Sequence, residues 1–179
     1  MNHKEAVKHP DGKYIRSLIF GFNDGTVSNL ALIAGLSGAM LGNKVVILGG
    51  LADMIAGAIS MGLGNYIATK SQVEFYTHIG KSKKEIENPV VVGFVTFIAF
   101  LIAAAIPVIP FFFMPVGSAL LWASVTCMAL LFLVGIGKTH YTCQDWLRSG
   151  LEMVIIGAIA TLASYYVGDF FNNYLTRVL

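Results

Sequence analysis

Residues 14–41 read YIRSLIFGFNDGTVSNLALIAGLSGAML, and the placing of Asp24 within them decides the fold. Asn23-Asp24-Gly25 has the chemistry of a turn. A helix that began only after Gly25 would keep about 16 residues before Gly42, ~24 Å at 1.5 Å per residue. The hydrocarbon core of a bilayer is ~30 Å thick. Starting the helix at Tyr14 restores a full span and sets Asp24 inside it. A carboxylate at that depth costs at least about 2.5–3.5 kcal/mol on insertion scales. It must therefore face a bundle interior, a partner or a cavity.

The remainder of the chain supports a membrane setting. Of its 179 residues 56% are hydrophobic and 12% are charged, whereas a soluble domain carries about 25% charged residues. That excludes a soluble enzyme. Strand alternation is absent, which argues against a β-barrel, so the backbone must satisfy itself as helices. The expected fold is an all-α integral membrane protein, one transmembrane domain over residues 1–179. Its five spans fall at about 14–41, 45–66, 89–106, 116–137 and 149–168, the last continuing towards Leu175. Gly42-Asn43-Lys44 reads as the first turn, and 67–88 as a short cytoplasmic loop. Asn88-Pro89 opens the third span as N-cap and first-turn proline. Pro107, Pro110 and Pro115 end it, with Phe111 to Phe113 at the interface.

Basic residues set the orientation. Lys4, Lys8, Lys13, Arg16, Lys70, Lys81, Lys83, Lys84, Lys138 and Arg148 fall on one side, and only Lys44 and Arg177 on the other. By the positive-inside rule the N-terminus is cytoplasmic. The four histidines share that side, and Trp122 and Trp146 sit near span ends. Cys127 and Cys143 are too far apart to bridge if the chain between them is helical. A net charge of +2 suggests no nucleic-acid partner. The polar, basic N-terminus reads as a retained first helix, not a cleaved signal. Short length and the lack of a targeting extension lean towards a prokaryotic plasma membrane over an organelle.

Folding the first two spans as a hairpin brings Asp24 level with Met61 or Gly62, with Asp53 deeper towards the outside. At 100° per residue Gly21, Asp24, Ser28, Ala31, Gly35 and Gly42 share one side of the first helix. Asp53, Gly57, Ser60, Gly64 and Ser71 share one side of the second, with Met61 at its edge. Such small-residue stripes pack helices closely, but that role does not explain two aspartates. Carboxylates bind divalent cations, and a thioether tilts a site towards iron or cobalt and away from magnesium or calcium. A lone Met in a span is usually core filler, so the role of Met61 rests on its level with Asp24. A carboxylate shielded from water also accepts a proton readily, so it can trade a proton for a metal.

Phe20-Gly21-Phe22-Asn23-Asp24-Gly25-Thr26-Val27 with Ala31-Leu32-Ile33-Ala34-Gly35-Leu36-Ser37-Gly38-Ala39 resembles the first helix of vacuolar iron transporters. Ala56-Gly57-Ala58-Ile59-Ser60-Met61-Gly62-Leu63-Gly64, with Tyr66 and Ala68-Thr69-Lys70-Ser71, resembles their second. The resemblance implies a homodimer that moves ferrous iron and related ions (Mn2+, Co2+ or Zn2+) out of the cytoplasm in exchange for protons. It implies a pathway between first and second helices of both subunits, with no tightly bound cofactor. Asp24 and Met61 match the family's mid-membrane metal-binding residues, and Asp53 a second-helix acidic position that is often glutamate. Ser17 stands after Arg16 where plant members have an aspartate. Larger members place a long acidic metal-binding domain between the second and third spans. Here about 20 residues remain, holding Glu74, His78, Glu85 and Glu87. Glu74 and His78, four apart, share a helical face and read as a solvated helix extension before a metal site. Glu152 reads as interfacial before a vestibule residue.

Two rival readings stand beside this one. Asp24 and Asp53 could relay protons for a carrier of another small solute, or the stripes could pack a non-transporting scaffold. A membrane enzyme lacks support, because no nucleophile–base constellation occurs in the sequence.

Overall fold

A computed structural model describes residues 12–80, 87–142 and 145–178. Five helices follow in order: α1 Gly12–Gly38, α2 Asn43–His78, α3 Pro89–Ala105, α4 Val116–Thr142 and α5 Trp146–Val178. A 3-10 segment, Ile106–Phe112, continues α3. No strand occurs among the described residues. The N-terminal basic residues Lys4 and Lys8, Lys81, Lys83, Lys84, Glu85 and Cys143 lie outside them.

Helix α1 is the hub, packed against all four other helices. Its polar residues follow from that position. Ser17, Thr26 and Asn29 are fully buried alongside Leu30, Ile33 and Ala34, so protein and not lipid surrounds them. Among the described residues four helices are long and apolar enough to cross a membrane: Asn43–His78, Pro89–Phe112, Val116–Thr139 and Trp146–Val178. The first of the five expected spans is not among these. A helix with neighbours on every side has no need of an apolar surface, and α1 exchanges hydropathy for internal hydrogen bonds.

The connections differ from expectation in detail. The reversal after α1 lies at Ala39–Leu41, before Gly42-Asn43-Lys44. Met40 N–H donates to Ser37 O and Leu41 N–H to Leu36 O, with Met40 at φ 57°. This is a Schellman closure with a methionine where glycine is usual. Asn43 is already the first residue of α2. Helix α2 then runs 36 residues, about 54 Å, so 67–78 is helix and not the expected loop. The Asn88 side chain accepts from Val90 N–H and Pro89 sits in the first turn of α3, as expected. Helix α5 continues to Val178, past Leu175. Phe112 and Phe113 are exposed, but Phe111 is buried and belongs to the core, correcting its interfacial placing.

Two asparagines repair what the prolines break. At the end of α3 the spacing tightens, and Ile106 N–H donates to Ala103 O. In that spacing Ala104 O falls to Pro107, which has no N–H. Asn29 supplies the donor, its amide giving one hydrogen to Ala104 O at 2.6 Å and the other to Gly50 O at 3.0 Å. At the far end Met114 N–H bonds Pro110 O, and Pro115 has no hydrogen to give Phe111 O. Asn43 donates there at 3.1 Å, and to Met114 O at 2.7 Å.

Around these bonds Leu30, Ile33, Val46, Val108, Phe111, Ala119, Ala123 and Cys127 form the larger core cluster. Cys127 is a buried free thiol used for packing. The α1 stripe serves the chain itself. A Cβ on Gly21 would meet Thr96 O of α3 at 2.6 Å, and one on Gly35 would meet Ser164 O of α5 at 3.2 Å. The small residues of α1 were expected to share one side of the helix, and these two pack against different helices of the subunit.

Asn29→Leu should lower stability by about 1–3 kcal/mol, because it leaves a buried carbonyl without a donor. Asn43→Ala, at a more accessible site, should cost less. Chemical unfolding of the detergent-solubilised protein gives the ordering, and equal losses would count against the proline-repair role of Asn29.

Candidate functional site

Helix α3 serves as a ruler for the levels of α1 and α2. At one level Gly21 presses on the Thr96 backbone while Asn65 of α2 donates to Thr96 Oγ1 at 2.6 Å. One turn further on, Gly25 presses on the Phe100 backbone and Gly57 on the Phe100 ring. Asp24 lies between Gly21 and Gly25, and Met61 lies midway between Gly57 and Asn65. Both residues therefore fall within the stretch of the bundle marked by Thr96 and Phe100 of α3. Met61 is partly buried and packs on the cluster of Ala58, Phe100 and Ala104, as does Met54.

Asp53 stands nearer to Asp24 than a symmetric hairpin suggests. Asn29 holds Gly50, which draws the outer part of α2 along α1. The Asp53 carboxylate then lies within electrostatic reach of Asp24, and it faces Ser28, one helical turn beyond Asp24 on α1. Both aspartates are partly buried. The structure thus gathers Asp24, Ser28 and Asp53 into a short polar ladder between α1 and α2. Among the described residues no three His, Cys, Asp or Glu side chains converge on one point of a single chain.

The small residues of α2 divide between two faces. Gly57 turns to Phe100, and Gly62 packs against α3 at Gly93 and Phe97. Ala52, Ala56, Ser60, Gly64 and Ala68, four apart in sequence, are all exposed. They form a straight ridge of small residues along the open face of α2.

The weaker candidates do not join this site. Glu74 and His78 are both exposed on the projecting end of α2, the position of a solvated helix extension. Glu152 is paired with Lys138 at 3.7 Å, and Glu87 with Arg16 at 3.5 Å. Trp146, at the start of α5, meets Phe132 edge-on with ring centroids 6.5 Å apart.

A sequence model of the VIT family matches residues 15–88 and again 77–169. The chain belongs to the VIT family. The two matches divide at 77–88, between the end of α2 and the start of α3, where only ten residues separate His78 from Pro89. "Vacuolar iron transporter 1" of Eucalyptus grandis is 29% identical, covering 91% of this chain and 88% of its own. The Arabidopsis thaliana protein of the same name is 29% identical over 92% and 89%. Both alignments, 221 and 222 positions long, exceed this chain of 179 residues, so the relatives carry insertions; this is a short form of the family. "Protein CCC1" of Saccharomyces cerevisiae is 47% identical over 77 residues, 42% of this chain and 23% of its own. These relatives are eukaryotic, two of them vacuolar by name, and lend no support to the expected prokaryotic plasma membrane.

Sequence reading missed Asn29 and the approach of Ser28 to Asp53. Asn29 was within reach of the argument that singled out Asp24, since an amide buried in a span also needs partners. Replacing Glu74 and His78 together by Ala should change the apparent affinity for a transported ion by no more than a few-fold, because water can stand in for exposed ligands. Uptake into proteoliposomes measures this. Complete loss of uptake in a folded variant would give the projecting end of α2 an essential role.

Proposed function

We propose that this chain carries divalent transition-metal ions, ferrous iron first and manganese, cobalt and zinc beside it, out of the cytoplasm in exchange for protons. Membership of a family whose relatives are named as transporters makes it a metal-ion carrier and not an enzyme. The observation that supports the finer reading is the ladder of Asp24, Ser28 and Asp53, set on two adjoining helices inside a membrane bundle. Nothing in packing calls for two carboxylates there.

The working unit of this proposal is a homodimer of five-span subunits with cytoplasmic N-termini. The ridge from Ala52 to Ala68 supports it: small residues let helices approach closely in a bilayer, and a Cβ on Gly64 would meet nothing within 4 Å. A two-fold axis beside α2 would double each ligand. Two Asp24 carboxylates neutralise one divalent ion, and two Met61 sulfurs add preference for softer ions. The low-dielectric core favours a neutral site in both directions, with one metal ion outward and protons on the return. Glu74, His78 and Glu152 then lie on the approach, not at the station.

Two outcomes follow. Gly64→Leu should leave the protomer folded and halve the detergent-corrected mass, since its side chain enters space open in one chain and closed in the dimer. A monomeric parent that transports metal would overturn the dimer. Asp24→Asn should abolish proteoliposome uptake while keeping the fold, and Met61→Leu should raise KM for Fe2+ and Co2+ more than for Mn2+. Near-normal transport with unchanged proton coupling in Asp24→Asn would refute the assignment.

A further inference from the structure

The ladder contains one oxygen that family resemblance does not assign. Ser28 turns its hydroxyl towards the Asp53 carboxyl. Yet Ser28 Oγ and Asp53 Oδ2 are both shut from the surface and neither completes a hydrogen bond. The hydroxyls of Ser17 and Thr69 are likewise buried without a partner. The hydroxyls of Thr26, Ser37, Thr77, Thr96, Thr161 and Thr176 each donate to the carbonyl four residues back. Ser28 forgoes that bond and aims across the helix pair.

A buried oxygen without a partner costs about 1–3 kcal/mol, and two facing each other mark a place prepared for something that satisfies both. A water molecule could do so, but so could a cation, and the location favours the cation. The pair lies one helical turn beyond Asp24, with which Asp53 is electrostatically linked, on the same two helices. The register is held by the Asn29 bonds to Gly50 and Ala104, immediately beside Ser28 and one turn before Asp53. Exposed Ser60 and Gly64 continue the open face of α2 towards its projecting end.

We propose that Ser28 and Asp53 form a second cation station, built only of oxygen, which receives the ion from Asp24 and Met61. This rests on the transport reading above and adds to it a division of labour. The first station offers sulfur and oxygen and favours softer ions. The second offers a hydroxyl and a carboxylate, ligands that suit Mn2+ at least as well as Fe2+ or Co2+. An ion then meets donors of different softness at successive steps, so neither station holds it too tightly to release.

The test is proteoliposome uptake of Mn2+ and of Co2+, the latter as an oxidation-stable soft ion, by the parent, Ser28→Ala and Ser28→Cys. Ser28→Ala should raise KM for Mn2+ about tenfold, the scale of one lost polar contact to a charge, and for Co2+ about threefold or less. Ser28→Cys puts sulfur where oxygen stood, so KM for Co2+ should return to the parent value or below while KM for Mn2+ stays raised. Equal changes for the two ions, no change in Ser28→Ala, or a Cys variant that matches the Ala variant would make Ser28 a structural hydroxyl and overturn the station. A parent protein that moves neither ion would instead overturn the transport reading itself. Retention time on a sizing column confirms that each variant is folded.

Discussion

The two hydrogen bonds of the Asn29 amide hold this structure in register. One hydrogen goes to Gly50 on α2 and the other to Ala104 on α3, so a single side chain ties three helices at mid-bundle. Its site is wholly buried, where a polar bond has no water to compete with it. The need for it arises in covalent structure: Pro107 cannot donate, and the tightening of α3 into a 3-10 segment leaves a carbonyl that only another element can satisfy. That segment in turn carries Val108 and Phe111 into the core. The same bond to Gly50 sets the height of α2 against α1 and therefore brings Asp53 to Ser28. Core packing and the candidate site share one anchor.

Much of this was legible in the sequence. Helix count, the cap at Asn88 and the membrane setting followed from length, capping chemistry and the shortage of charge. Asp24 stood out because a span cannot be drawn without it. What was not legible depended on contacts between distant parts of the chain. Gly21 and Gly35 looked like part of one stripe with Asp24, since helical periodicity reports which residues share a face but not which neighbour takes it. Here α3 takes one and α5 the other. Phe111 looked interfacial between prolines, and the 3-10 turn carries it inward. The height of Asp53 could not be read from equidistance about a turn, because the bond from Asn29 to Gly50, 21 residues away in sequence, decides it.

Helix α1 also shows how hydropathy and position diverge in a bundle. It is the helix that falls short as a span on apolar character, and it is the one packed against all the others. Lipid-facing helices must be apolar on their outer surfaces. A central helix answers only to its neighbours, and in α1 these supply carbonyls for Asn29 and close backbone contact for Gly21, Gly25, Gly35 and Gly38. The polar groups that lower its hydropathy are the ones that hold the bundle and carry the ladder.

The ladder lies at the edge of this arrangement, and its position creates a requirement. Asp24 and Asp53 are only partly buried in one chain, and the neighbouring face of α2 presents Ala56, Ser60 and Gly64 to the surroundings. Carboxylates at that depth are unfavourable against hydrocarbon. A monomer in a bilayer would leave this polar margin beside lipid, whereas a second copy placed on the same ridge would enclose it in protein. Small residues are the ones that permit so close an approach. In the proposed dimer the surface that completes the cation path is therefore also the surface that removes charge from lipid. Assembly and transport would then depend on the same side chains, and a substitution that opened the ridge would be felt at both Asp24 and Asp53 without touching either.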